Sequence, residues 1–269
     1  MTPRASRTHR RAWQYAALSG SVLVLLSAGR QVWAEGSLHS GVLSGGSAGQ
    51  AVTAVEIVAG GADVTVTPRG DGQVGYRADV RWSLRRPEIE QSRLGDTLRL
   101  TPRCAGDTDT EADAPGCSVR LAVTVPTGIP VKVSGTSGRI SVSGLEGTVD
   151  ADVRTGSLTL DGLRGALRAN VGSGVLNATG LACRVAVVRA GAGLADVRFL
   201  TPPDRVSASV GSGRLDLTLP TDTGYRVTSR VGAGRCEVAD TLRDPSSPRT
   251  LDLAADSGSA QAGHRPPAD

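Results

Sequence analysis

From Val131 onward apolar and polar residues alternate, and the alternation breaks at a recurring Gly-centred corner: Gly138, Gly156, Gly174, Gly193, Gly213, Gly234 and Gly258. A period of two marks a strand with one buried face. Each unit therefore reads as strand, corner, strand, as in Ala169–Val171, Gly172-Ser173-Gly174, Val175–Ala178. Seven residues before the central glycine stand Val131, Val149, Leu167, Ala186, Val206, Val227 and Leu251. Five before it stand Val133, Ala151, Ala169, Val188, Ala208, Ser229 and Leu253. Three before it lies Gly135, then Val153, Val171, Ala190, Val210, Val231 and Ala255. Two and four after it the ladders run from Ile140 and Val142 to Ala260 and Ala262, with Cys236 among them. Ser229 is the polar interruption in an otherwise constant inward phase.

Stacking equivalent positions at about 4.8 Å per rung makes a core too narrow for large side chains, which accounts for the scarcity of aromatic residues after residue 50. The pattern predicts an all-β fold, a right-handed parallel β-helix or solenoid of about seven short rungs. Gly144-Leu145, Gly162-Leu163 and Gly180-Leu181 predict a third side in the early rungs. An antiparallel sandwich also yields short alternating strands, but it has no need of one inward phase in successive units.

Residues 51–130 carry longer alternating runs, Val52–Val58, Asp63–Thr67, Val74–Leu84, Thr97–Leu100 and Val119–Val125, and read either as the first, wider coils or as an N-terminal β cap, a capping meander that protects the edge of the stack. Repeats then fill 131–262, and a frayed, disordered tail at 263–269 with two prolines blocks further pairing. Residues 35–50, rich in Gly and Ser, read as a flexible linker. Residues 1–34 join a basic flank to the apolar run Trp13–Gly29, one transmembrane or signal helix. The basic side predicts a cytoplasmic N-terminus and an extracellular remainder. Either the helix stays as a single-pass anchor in the cell membrane, or cleavage after Ala34 releases a secreted domain.

The net charge of +4 invites an anionic partner, yet Arg4, Arg7, Arg10, Arg11 and Arg30 all precede residue 35. Without those five, the 30 basic residues fall to 25 against 26 acidic ones, a balance that argues against nucleic acid. Cys104 and Cys117 bracket a loop between two predicted strands. Outside the cell they are expected to form a disulfide, worth about 3 kcal/mol as a loop closure. Cys183 and Cys236 fall on rungs roughly 14 Å apart at that spacing and are expected to stay free, Cys236 as a buried thiol.

The N-terminal run, the opening strand Val55-Glu-Ile-Val-Ala-Gly-Gly-Ala-Asp-Val-Thr-Val66, Arg81-Trp82-Ser83-Leu84, the cysteine pair and the S-G-x-hydrophobic-x-hydrophobic units resemble the DUF4097 family of adhesin-like β-strand repeat proteins, in its actinobacterial type. The resemblance covers residues 50–262. It implies a surface β-helix with an adhesive role and brings no catalytic residues. The chain departs from the most regular family pattern, Asp after the corner Gly, by placing Arg139, Val175, Leu194, Arg214 and Arg235 there.

No catalytic, cofactor-binding or metal residue is predicted. His9, His39 and His264 all lie in the flanks, away from any nucleophile on the repeats. The outward row three after the corner reads Ser141, Thr159, Asn177, Asp196, Asp216, Glu237 and Gln261. Asp196, Asp216 and Glu237 are thus expected on neighbouring rungs, about 5 Å apart, beside Arg214 and Arg235. The face formed by Arg214, Asp216, Arg235 and Glu237 is the candidate partner surface. Asp107–Asp113 offers oxygen ligands at alternate positions, but Ala112 and Ser118 stand where a calcium loop needs Gly and Glu. The functional expectation is a non-enzymatic, envelope-anchored extracellular adhesin or surface scaffold whose partner is a cell-surface or envelope protein or glycan. The alternative is an envelope-sensing accessory module that binds a membrane protein. A glycan-active enzyme would need facing carboxylates at a defined separation.

Overall fold

The computed structural model describes residues 38–47, 49, 51–83, 85–104 and 116–264. The predicted N-terminal helix, the Asp107–Asp113 loop and the last residues of the tail lie outside them. Among the described residues no helix is long and apolar enough to cross a membrane. The described residues form an all-β fold, with 18 strands in one open sheet. In chain order these are β1 (His39–Gly46), β2 (Ala54–Gly60), β3 (Asp63–Arg69), β4 (Gly75–Trp82), β5 (Glu88–Leu94), β6 (Thr97–Arg103) and β7 (Ser118–Pro126). The repeats supply β8 (Val131–Gly135), β9 (Arg139–Ser143), β10 (Val149–Asp161), β11 (Leu167–Leu181), β12 (Val185–Phe199), β13 (Arg205–Val210) and β14 (Arg214–Leu219). They end with β15 (Arg226–Val231), β16 (Arg235–Val238), β17 (Thr250–Ala255) and β18 (Ser259–His264).

The central strands stack in parallel at the expected phase. β8 and β9 pair with the two halves of β10, β10 with β11 and β11 with β12, so Val131, Val149, Leu167 and Ala186 line up, as do Ile140, Leu158, Leu176 and Ala195. The ladders are buried because each strand has a neighbour above and below that extends the same apolar face. The glycine column is a steric requirement. Gly156, Gly174 and Gly193 have φ of +139°, +137° and +152°, and a Cβ on any of them would strike the carbonyl oxygen of the corner glycine in the adjoining layer. On the third side Leu145, Leu163 and Leu181 are buried. Their carbonyls accept from the N–H groups of Arg164, Ala182 and Leu200 at 2.9, 2.8 and 2.7 Å.

The layers do not follow chain order at either end. β13 and β14 are covered by β17 and β18, and β15 and β16 then pair onto the outer side of β17 and β18, with no further strand partner among the described residues. The phase survives the exchange because Val206, Leu251 and Val227 are equivalent positions. Leu251 and Leu253 are fully buried, whereas in the outermost layer Val227, Cys236 and Val238 are half-buried and Ser229 and Val231 are exposed. Cys236 is therefore less buried than expected, since no layer of the described residues lies over it. The last described strand, β18, sits one layer in, not at the edge where sequence order would place it.

At the other end β2 and β3 lie between β8 and β9 on one side and β6 and β7 on the other, all parallel. Val55 and Ile57 continue the ladders of Val131 and Val133, and Val64 and Val66 those of Ile140 and Val142. Much of the expected cap is thus more of the same stack, and its antiparallel part is confined to the β1–β4, β4–β7 and β5–β6 pairs. Outward on β2, Glu56 meets Arg99 of β6 at 3.0 Å and Lys132 of β8 at 3.1 Å. Hydrogen bonds from Arg99 and then Lys132 hold its carboxyl below the usual range.

The Gly/Ser segment expected as a linker is corrected over His39–Gly46, which forms β1 along β4. Its glycines make room for aromatic rings: a Cβ on Gly41 would press on the Trp82 indole at 3.2 Å and one on Gly45 would overlap the Tyr76 ring at 2.8 Å. His39 stacks on Trp82 at 5.7 Å and Arg86 lies over the indole. Strand β5 escaped the sequence reading because its residues are mostly exposed and carry little alternation.

Candidate functional site

The outward row of the repeats becomes a polar ribbon across β12, β14, β18 and β16. Register sets Asp196 beside Asp216, Asp216 beside Gln261 and Gln261 beside Glu237. The expected direct neighbourhood of Asp216 and Glu237 is therefore corrected: Gln261 stands between them, and Ser259 likewise separates Arg214 from Arg235.

The amide of Gln261 joins the two halves. Arg214 Nε donates to both carboxylate oxygens of Asp216 at 3.2 and 3.1 Å, and its Nη2 donates to Gln261 Oε1 at 3.2 Å. Gln261 Nε2 donates to Glu237 Oε2 at 2.9 Å, and Arg235 lies 3.7 Å from the other oxygen of Glu237. Beside them Arg198 pairs with Asp196 at 2.5 Å. All these side chains are substantially exposed, so each pair adds little stability, and the ribbon is available to a partner. A shallow groove of about 520 Å³ runs along it, lined by Asp216, Thr218, Glu237, Asp240 and Gln261 among others.

The four sequence-predicted face residues thus share one surface, but as two pairs bridged by a residue that sequence order placed at the rim. Signals for Gln261 existed. Ser229 broke its ladder, and Asp244-Pro-Ser-Ser-Pro248 gives the chain between β16 and β17 the length to fold back.

Cys104 and Cys117 form the expected disulfide, with Cα atoms 6.1 Å apart, joining the end of β6 to the start of β7. Cys183 and Cys236 are free. Cys183 is buried with its thiol 3.4 Å from the Leu163 carbonyl, and burial pushes its pKa up to about 12. Gly263 and His264, expected in the tail, instead end β18 opposite Thr218 and Leu219, and His264 Nδ1 lies 2.8 Å from the Pro220 carbonyl. Among the described residues no group of three or more His, Cys, Asp or Glu is placed to hold a metal ion.

No family model and no curated protein matches the chain. Among solved structures, it is similar to a "putative adhesin" from Parabacteroides merdae, at 13% identity and a TM-score of 0.49 over 85% of this chain and 97% of that one. It is also similar to a "putative cell adhesion protein" from Clostridium sporogenes, at 12% identity and a TM-score of 0.38 over 85% and 100% of the two chains. A third similarity is to a "putative lipid binding protein" from Parabacteroides distasonis, at 12% identity and a TM-score of 0.40 over 85% and 97%.

Proposed function

We propose that the chain is a non-enzymatic surface protein: a right-handed parallel β-solenoid with an N-terminal β cap, held at the cell envelope by its N-terminal apolar run and acting as an adhesin or surface scaffold. The observation that carries the reading is the Arg214–Asp216–Gln261–Glu237–Arg235 ribbon, whose exposed side chains are fixed by one another across three parallel strands. Such mutual bonding lowers the ordering cost when a partner docks, and mixed donors and acceptors suit a polar envelope protein or glycan. Support for the location comes from the disulfide, which persists in oxidising compartments, and from the basic flank preceding the apolar run. The resemblance to DUF4097 proteins agrees with this role.

The test is binding of the protein to isolated envelope fractions, comparing wild type with Arg214→Ala/Arg235→Ala and with Gln261→Ala. Saturable binding weakened in both variants is the expected result. Binding unchanged in both would remove the ribbon from the contact, and no binding to any fraction would refute adhesion to the envelope.

A further inference from the structure

We propose that the outermost layer, β15 with β16, is a docking edge for a second copy of this chain, forming a two-fold dimer end to end. This goes beyond adhesion and uses the open end of the stack, which shares Glu237 with the outward ribbon. The two ends of the stack are finished differently. At the β6–β7 end the chain turns back into antiparallel β4, β1 and β5, and the edge strand β5 carries Glu88, Glu90 and Arg93, the kind of charged edge that discourages further pairing. At the other end β15 and β16, among the described residues, each pair on one side alone. Their inward residues lie open: Val231 is 49% exposed, and Val227, Cys236 and Val238 are half-buried, although every equivalent residue in the other repeat layers is buried.

A second copy fits this edge through a two-fold axis at the corner formed by Gly232, Ala233 and Gly234. That axis lays β15 of one copy antiparallel to β16 of the other, twice. In this register Val231 faces Cys236 of the second copy and Ser229 faces Val238, so inward positions meet inward positions and the two cores become continuous. On the outside Arg230 faces Glu237 of the second copy, twice per dimer. Arg230 is exposed and has no ion pair among the described residues, and Glu237, although it meets Arg235 at 3.7 Å within the monomer, keeps 52% of its side chain exposed to receive a second cation. The corner on the axis carries small residues alone, which permits close approach. Isologous pairing of this kind is closed and stops at two copies.

The test is sedimentation velocity of the full-length protein in a density-matched mild detergent, over a range of concentrations, for wild type, Arg230→Glu, Glu237→Arg and the double variant. Wild type should dimerise reversibly. Each single variant should weaken the dimer by about tenfold, because two like-charged pairs replace two opposite ones, and the double variant should return to within about threefold of wild type, since exchange restores both pairs. Thermal unfolding of each variant, expected to match wild type, separates lost pairing from lost folding. A monomer at all concentrations overturns the proposal. So does growth beyond dimers, which would mean head-to-tail stacking, and so does a double variant no tighter than the single ones, which would mean that association runs through another surface such as the N-terminal run.

Discussion

Three alanine substitutions in one part of the stack separate the two reasons for its glycines. Gly180 has φ +62°, and a Cβ there would find its nearest neighbour at 3.4 Å. Alanine at this site meets the left-handed conformation alone, at about 1–2 kcal/mol. Gly172 has no positive φ, but a Cβ would come within 2.6 Å of the Arg154 carbonyl oxygen, an overpacking cost of about 1–3 kcal/mol. Gly174 combines φ +137° with a collision against the Gly156 carbonyl oxygen. Neither backbone can retreat, because Val171 and Leu176 are paired in register with strands on both sides. The sum of strain and collision is about 3–5 kcal/mol for Gly174→Ala. Equilibrium urea denaturation followed by far-UV circular dichroism gives the three values, and a lower m for Gly174→Ala would mark local opening at that layer. A Gly174→Ala cost within about 0.5 kcal/mol of the Gly180→Ala cost would refute the steric column and leave glycine as a conformational convenience.

Other consequences are equally direct. Leu253→Ala should cost about 3 kcal/mol, because β15 covers this fully buried residue, whereas Val231→Ala in the open layer should cost under about 1 kcal/mol; the opposite ranking in chemical denaturation would restore chain order to the stack. Stability should fall as pH rises from about 9 to about 12, since burial raises the pKa of Cys183 and Tyr225 to about 12 from 9.0 and 10.0. The unfolded chain releases these protons first, so alkali favours unfolding, by up to about 1.4 kcal/mol per pH unit and group, and a flat denaturation midpoint over that range would contradict it. Replacing Cys104 and Cys117 by serine should lower stability by about 3 kcal/mol, read from the urea midpoint, and a change under about 1 kcal/mol would mean that the sheet pairings of β6 and β7 already close the loop.

What the sequence discloses here is phase, and what it conceals is order. Every ladder predicted from the alternation aligns in the structure, because a one-residue slip would turn an entire apolar face to solvent. The order of layers is a weaker signal, since Val206, Leu251 and Val227 are interchangeable as neighbours. A single hydroxyl at Ser229 distinguished the layer that lacks a cover. The ribbon inherited the same ambiguity: its members were legible as outward residues, and their adjacency was not. Strand β1 was hidden for another reason, because glycines that yield to Trp82 and Tyr76 look, in isolation, like glycines that yield to solvent.

The interleaved ends constrain how the protein is made. A chain emerging from its N-terminus delivers β15 and β16 before β17 and β18, and at that moment the open surface of β13 and β14 offers them a berth in their own phase, Val227 upon Val206. The native arrangement requires the last strands to enter between partners that fit each other already. Completion of the stack therefore requires β17 and β18 either to reach β13 and β14 before β15 and β16 do or to displace them, so delivery in sequence order does not by itself set the order of the layers.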